Sequence, residues 1–116
     1  MSKTILNYVK NVLGLCDEDN SFDLDICMWA NAAFATLRQL KVGPIEGFAI
    51  PLDAPTPTWE DYHCEFSQKE MVKAYVVLYC RKNFDPPTSG FVMDAIENQL
   101  KEYEFRLNIE TDGGID

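Results

Sequence analysis

SQKEMVKAYVVLYCRKNF, residues 67–84, is the stretch on which the fold turns. Its middle, Met71 to Cys80, is apolar almost all round, and a run of Val, Tyr and Leu alone also fits a buried strand. Two features favour a helix. Ser67 followed three residues on by Glu70 is a capping-box signature. The whole stretch from 67 to 84 is also about three times the length of a typical strand. The reading is a central buried helix with Tyr75 as a core anchor, stopped by the turn Asp85-Pro86-Pro87.

Working outward, three more helical patterns appear. Toward the N-terminus, Ile5, Val9, Val12 and Leu13 make an apolar stripe over residues 2–13, with Ser2 placed to cap and Gly14 to stop it. Residues 23–40 carry Ile26, Ala30, Ala33, Leu37 and Leu40 on one arc, bordered by Phe34 and Cys27 on one side and Trp29 on the other. Leu37 and Phe34 are core anchors there. Ser21 or Asp23 can cap this helix, and Asp23 and Asp25 suit its positive end. Gly43-Pro44 forms the turn that ends it. Toward the C-terminus, residues 88–107 put Val92, Ala95, Ile96, Gln99, Leu100, Tyr103 and Leu107 on one arc, with Thr88 or Ser89 as cap.

Between the second and third helices lies PIEGFAIPLDAPTPT, residues 44–58, with four of the chain's six prolines. Proline at that density excludes a regular helix and a central strand. Ile45, Phe48, Ile50 and Leu52 imply that this connector lies on the core, and Thr58 can cap a single turn that carries Trp59 as an anchor. The expected architecture is all-α: four main helices in a compact bundle, one helical domain over residues 1–108, and a flexible acidic tail over 109–116.

The chain has 116 residues, which is one domain on size grounds. Ten Lys and Arg against 19 Asp and Glu give a net charge of -9. That balance argues against a dedicated nucleic-acid binder, which needs cations to replace counterions at phosphates. It equally disfavours an anionic membrane surface. No apolar run approaches a membrane span, and the first residues lack the apolar core of a signal peptide, so synthesis in the cytoplasm is expected. Cys16, Cys27, Cys64 and Cys80 show no CxxC spacing and read as reduced, mostly buried residues.

Candidate chemistry is sparse. Asp17, Asp19, Ser21, Asp23 and Asp25 imitate the alternation of a calcium loop, but Phe22 and Met28 stand where the loop needs Gly and a bidentate Glu. A solvated loop with helix-capping acids is the simpler account. His63-Cys64 joins the single His to a thiol, yet adjacent residues on a short loop point apart, and no second ligand pair for zinc lies nearby. The glycines fit no phosphate-cradling pattern. No catalytic constellation, metal site or cofactor is expected.

One anomaly remains on the fourth helix. Phe91 and Phe105 lie close together in projection, away from its main stripe. Either the helix is buried on most sides, or it contacts its own core on one face and a partner on the other.

Four segments occur in a telling order: Asp25-Ile26 to Asn31 and on to QLKVGP at 39–44; Trp59-Glu60-Asp61-Tyr62; Lys73-Ala74-Tyr75-Val76; and Phe84-Asp85-Pro86-Pro87 followed by Glu104-Phe105-Arg106-Leu107-Asn108. Together, over about residues 5–108, they resemble the small head–tail connector (adaptor or head-completion) proteins of tailed bacteriophages. Lys41 departs from the pattern, where Gly is expected. The resemblance implies an all-α subunit without enzymatic activity. It implies a ring of self-copies, dodecameric in expectation, that docks on the portal after DNA packaging and extends the channel. The tail or a stopper protein would attach below, and double-stranded DNA would pass without specific binding. The site would be the head–tail neck of the virion. Phe91, Phe105, Arg106 and Asn108 are then the expected contact residues, Gly43, Pro44, Asp85, Pro86 and Pro87 the structural turns, and Asn31 a hydrogen-bonding partner of the connector.

The net charge also admits a different class, an acidic DNA mimic that inhibits a host nuclease or regulator. Such a mimic needs carboxylates spaced along one surface, whereas these acids scatter and the mid-chain connector is apolar.

Overall fold

The computed structural model describes residues 3–112. Four helices form, α1 (Ile5–Val12), α2 (Asp23–Gln39), α3 (Phe66–Phe84) and α4 (Gly90–Asp112), with a 3-10 turn at Trp59–Asp61. Among the described residues no strand forms; the one β-bridge joins Thr4 to Thr58. The fold is all-α. The decisive run is a helix, and it is the central one: α3 packs against α2, α4 and α1. Val72, Tyr75, Val76 and Cys80 are buried, and Met71, Val77, Leu78 and Tyr79 are packed beside them.

The helix ends show how local chemistry was decided. α1 is capped by Thr4, whose hydroxyl accepts from the Asn7 N–H at 3.0 Å. Ser2, the expected cap, lies outside the described residues. α2 has Phe22 at its N-cap and no side-chain cap. The Ser21 N–H is turned onto the Asp19 carboxylate at 3.0 Å, and Phe22 is held edge-on against Phe84 with ring centroids 5.1 Å apart. Asp23 instead pairs with Lys10. α3 starts two residues earlier than its capping signature implies, with Glu65 rather than Ser67 at the N-cap. The Ser67–Glu70 box is not what caps it; the Glu70 carboxylate reaches Lys73 at 3.4 Å. α4 follows expectation at its start, where Ser89 Oγ accepts from the Val92 N–H at 3.4 Å. Its end runs on to Asp112, because nothing from Asn108 to Asp112 breaks a helix and Gly113-Gly114 is the first stop signal. Residues 109–112, expected in the tail, are thus helical, and 113–116 lie outside the described residues.

The connector lies partly on the core. Ile50 is buried, and both its N–H and its C=O are bound by the Asn31 side chain, at 2.7 and 3.1 Å. One amide so placed acts like a neighbouring strand and satisfies two backbone groups at once. Phe48 packs on Phe34 and Tyr62. Ile45 and Leu52 point outward, against expectation: Ile45 is 90% exposed. Each is the second residue of a tight turn, closed by Gly47 N–H to Pro44 O at 3.0 Å and by Ala54 N–H to Pro51 O at 3.3 Å. Side chains at that apex face away from the chain they reverse.

Candidate functional site

α2 and α4 each carry a segment that sets the shape of the molecule's surface. At the end of α2, Val42 N–H donates to Leu37 O and Lys41 N–H to Arg38 O, both at 2.9 Å. This is a Schellman motif, which places Lys41 in the left-handed region at φ 66. Glycine is the natural residue there, and a side chain costs about 1–2 kcal/mol. Two residues on, Gly43 has φ 90, and a Cβ there would lie 2.7 Å from Tyr62 Cζ. The Tyr62 hydroxyl reaches Val42 O at 3.4 Å. Gly43-Pro44 is therefore a turn pressed onto Tyr62, which itself stacks in a group of rings with Phe34, Phe48 and Trp59. Lys69 closes the arrangement: its ammonium donates to Trp59 O and Tyr62 O, each at 2.7 Å. The four expected core anchors, Trp59, Phe34, Tyr75 and Leu37, are all buried.

α4 has two faces. Leu100 and Leu107 are buried, Ile96 and Tyr103 pack beside them, and Glu104 accepts from the Tyr75 hydroxyl at 2.7 Å. Val92, Ala95 and Gln99, expected on the same arc, are exposed. The short Asp85–Ser89 link makes α3 and α4 antiparallel neighbours. With Tyr75 level with Glu104, α3 ends at Phe84 about level with Ala95, nine residues along each helix. The first turn of α4 therefore extends past α3. On the opposite face Phe91 is 84% and Phe105 63% exposed, and Ile109 is half exposed. Arg106 lies beside this face, paired with Glu102 at 2.7 Å, and Asn108 is half-buried at its edge.

Sequence reasoning missed two lysines. Lys10 is 1% exposed, with its ammonium 3.0 Å from Asp17 O and 2.9 Å from Asp23 Oδ1. A lysine on the inner face of α1 next to an acidic loop was the available signal. Lys69 offered none, since its acceptors are backbone carbonyls. Phe66, 93% exposed at the start of α3, also went unnoticed.

The acids of the 17–25 loop take separate partners. Asn11 Nδ2 donates to Asp17 Oδ1 at 2.9 Å, Ser21 holds Asp19 and lowers its pKa, and Lys10 holds Asp23. Among the described residues no three His, Cys, Asp or Glu side chains converge as a metal site. His63 is exposed and Cys64 Sγ rests 3.5 Å from Glu65 O. Burial raises the Cys64 pKa, against a smaller opposite pull from Lys69, so the thiol stays protonated and is not activated as a nucleophile. All four cysteines are free.

The geometry is that of a helical module with an outward aromatic face on α4. Over residues 5–114 the chain matches the family model described as phage connector protein. The chain belongs to the phage head–tail connector family. No curated protein and no solved structure matches it. The connector is a structural component of the phage, and its all-α fold agrees with the architecture that the resemblance implied. No helix among the described residues is long and apolar enough to cross a membrane.

Proposed function

We propose that this connector subunit forms a ring of its own copies beneath the portal in the head–tail neck of the virion, after DNA packaging. The ring extends the DNA channel and offers the attachment point for the tail or a stopper protein. The observation that carries the reading is the outer face of α4, where Phe91 and Phe105 stand exposed on a helix already anchored through Leu100, Leu107 and Glu104. An anchored helix with large exposed aromatics is the form of a contact surface. Phe91, Phe105, Arg106 and Asn108 are the contact residues in this reading.

Ring closure needs heterologous contacts, so each subunit presents two different surfaces. The charge of -9 gives a channel wall without surplus cations, along which double-stranded DNA passes unbound. The turns at Gly43-Pro44 and Asp85-Pro86-Pro87 keep the helices in fixed relation, as a load-carrying ring requires.

Mixing the purified protein with its cognate portal ring and imaging the product by electron microscopy tests this. An added ring of density beneath the portal is the expected result. A folded protein that leaves the portal bare overturns the reading. Phe105→Asp is expected to keep the fold and abolish attachment.

A further inference from the structure

The outer face of α4 carries exposed apolar side chains that a solvent face does not need. Phe91, Ala95, Asn98, Glu102, Phe105 and Ile109 follow one another at intervals of 4, 3, 4, 3 and 4 residues. At about 100° per residue they form one strip, directly opposite Leu100 and Leu107. Four of the six are apolar and three of those are large, which is the composition of a helix face that packs on another helix. All six side chains are exposed, and the strip is about 27 Å long at a rise of roughly 1.5 Å per residue.

We infer that the occupant of this strip is a second copy of the same helix, running antiparallel, so that the free protein is a two-fold symmetric dimer. The order of residues carries the choice. In an antiparallel pair centred beside residue 100, Phe91 meets Ile109 of the second copy, Ala95 meets its Phe105, and Asn98 meets its Glu102. Each layer is complementary: two apolar side chains at the ends, a small one under a large one next, and an amide donor against a carboxylate at the middle. The symmetry repeats every layer, giving six. A parallel pair of the same helices puts Glu102 on Glu102, Phe105 on Phe105, and Ala95 on Ala95. That arrangement combines like-charge repulsion, overpacking and a void.

The middle layer is also prepared electrostatically. Arg106 already holds Glu102 at 2.7 Å within its own helix, so the carboxylate enters the contact neutralised. Val92 lies on the flank where the aliphatic stem of the second copy's Arg106 covers it. Lys101 faces its symmetry mate across the axis, which is the one unfavourable pairing, and its long stem lets the two ammonium groups separate into water.

A single helix pair is smaller than the roughly 1,200–2,000 Å² interface of a stable complex, so the dimer is of micromolar strength. The dimer covers Phe91 and Phe105 in the free protein, and the subunit is released for other contacts by dilution or by a tighter partner. Only this last step rests on the proposed portal-docking function; the dimer itself does not.

The test uses the full chain without portal. Sedimentation equilibrium is expected to show a species of twice 13.2 kDa that dissociates on dilution. Asn98→Asp, at an exposed position, sets two carboxylates against Glu102 in both symmetric layers and is expected to weaken the dimer about tenfold or more with helicity unchanged. With the exposed Cys16 replaced by serine, Ala95→Cys and Phe105→Cys chains are expected to form a mixed disulfide when combined and none when each is alone. A protein that stays monomeric at about 100 μM, a hundredfold above a micromolar dissociation constant, overturns the inference. So does a dimer unaffected by Asn98→Asp, or one in which Ala95→Cys links to itself. A chain that binds the portal yet stays monomeric at about 100 μM would sink the dimer alone, whereas a chain that dimerises but whose released subunits leave the portal bare would sink the docking function alone.

Discussion

The Tyr75 hydroxyl on α3 donates to the Glu104 carboxylate on α4 at 2.7 Å, with the tyrosine ring fully buried. These two residues come from two of the sequence segments that carried the family resemblance, 29 positions apart. The bond fixes the register of α4 against α3, and thereby the direction in which Phe91 and Phe105 face. Burial, together with the neighbouring Glu104 charge, raises the Tyr75 pKa, so the hydroxyl keeps its proton and remains a donor across the physiological range.

Tyr75→Phe removes this donor and leaves a half-buried carboxylate unpaired. The expected cost is about 1–3 kcal/mol in a urea titration, with the fold retained. Because the register of α4 is loosened, the variant should also weaken any assembly through Phe105, more than the stability change alone explains.

The left-handed Lys41 makes the opposite kind of prediction. Its Schellman motif is complete in hydrogen bonds but carries a Cβ where glycine is free of strain. Lys41→Gly is expected to stabilise the protein by about 1 kcal/mol, the strain relieved less the greater entropy of the unfolded chain. Gly43→Ala, two residues on, is expected to destabilise by about 3 kcal/mol or more, since a methyl there meets the Tyr62 ring in addition to the strained φ. Thermal melts of the two variants should move in opposite directions. If Lys41→Gly lowers the melting temperature, the lysine side chain makes a contact that outweighs the strain.

Much of this was legible in the sequence, and the limits have physical causes. The apolar period of α2 names its own buried face, because packing against neighbours is what sets the period, and the all-round apolar character of α3 marks it as the central helix. The Asn31–connector bond was readable from an amide at the edge of an apolar arc facing a segment that cannot pair its own backbone. Helix starts were less legible. Ser67-Glu70 has the right residues for a cap, yet Lys69 pulls the chain toward Trp59 O and Tyr62 O and the helix opens at Phe66. The buried Lys10 escaped because its acceptors, Asp17 O and Asp23, are brought to it by a loop whose path no local pattern encodes. For α4, periodicity gave the arc but not that its first turn extends beyond α3, which is a matter of relative helix lengths.

Asn31→Ala should test how far the connector depends on one side chain. It strips partners from the Ile50 N–H and C=O together, and Ile50 is buried. The expected loss is about 2–4 kcal/mol in urea unfolding. Hydrogen exchange at the Ile50 amide should accelerate more than exchange within α3, since the connector loosens before the core opens.

Two buried thiols link stability to high pH. Burial, the largest effect on both, pushes Cys27 up to about 11 and Cys80 up to about 12, from an ordinary value near 9.0. Asp23 adds to the rise at Cys27 while Lys10 opposes it, and Cys27 adds to the rise at Cys80. The native state therefore keeps both protons at pH values where the unfolded chain has released them. With fewer protons bound to the unfolded state, stability falls as pH rises. The decline begins at about pH 9 and continues to about 12, whereas below about pH 9 both states carry the protons and these groups contribute no slope. Urea midpoints measured from pH 7 to 11 should be flat in the first part of that range and fall in the second, and Cys27→Ala with Cys80→Ala should reduce the fall. Thiol titration at pH 8 adds a second readout: exposed Cys16 should react at once, while Cys27 and Cys80 wait for unfolding. Rapid reaction of all four thiols under native conditions would mean that the α2–α3 contact opens far more readily than its packing implies.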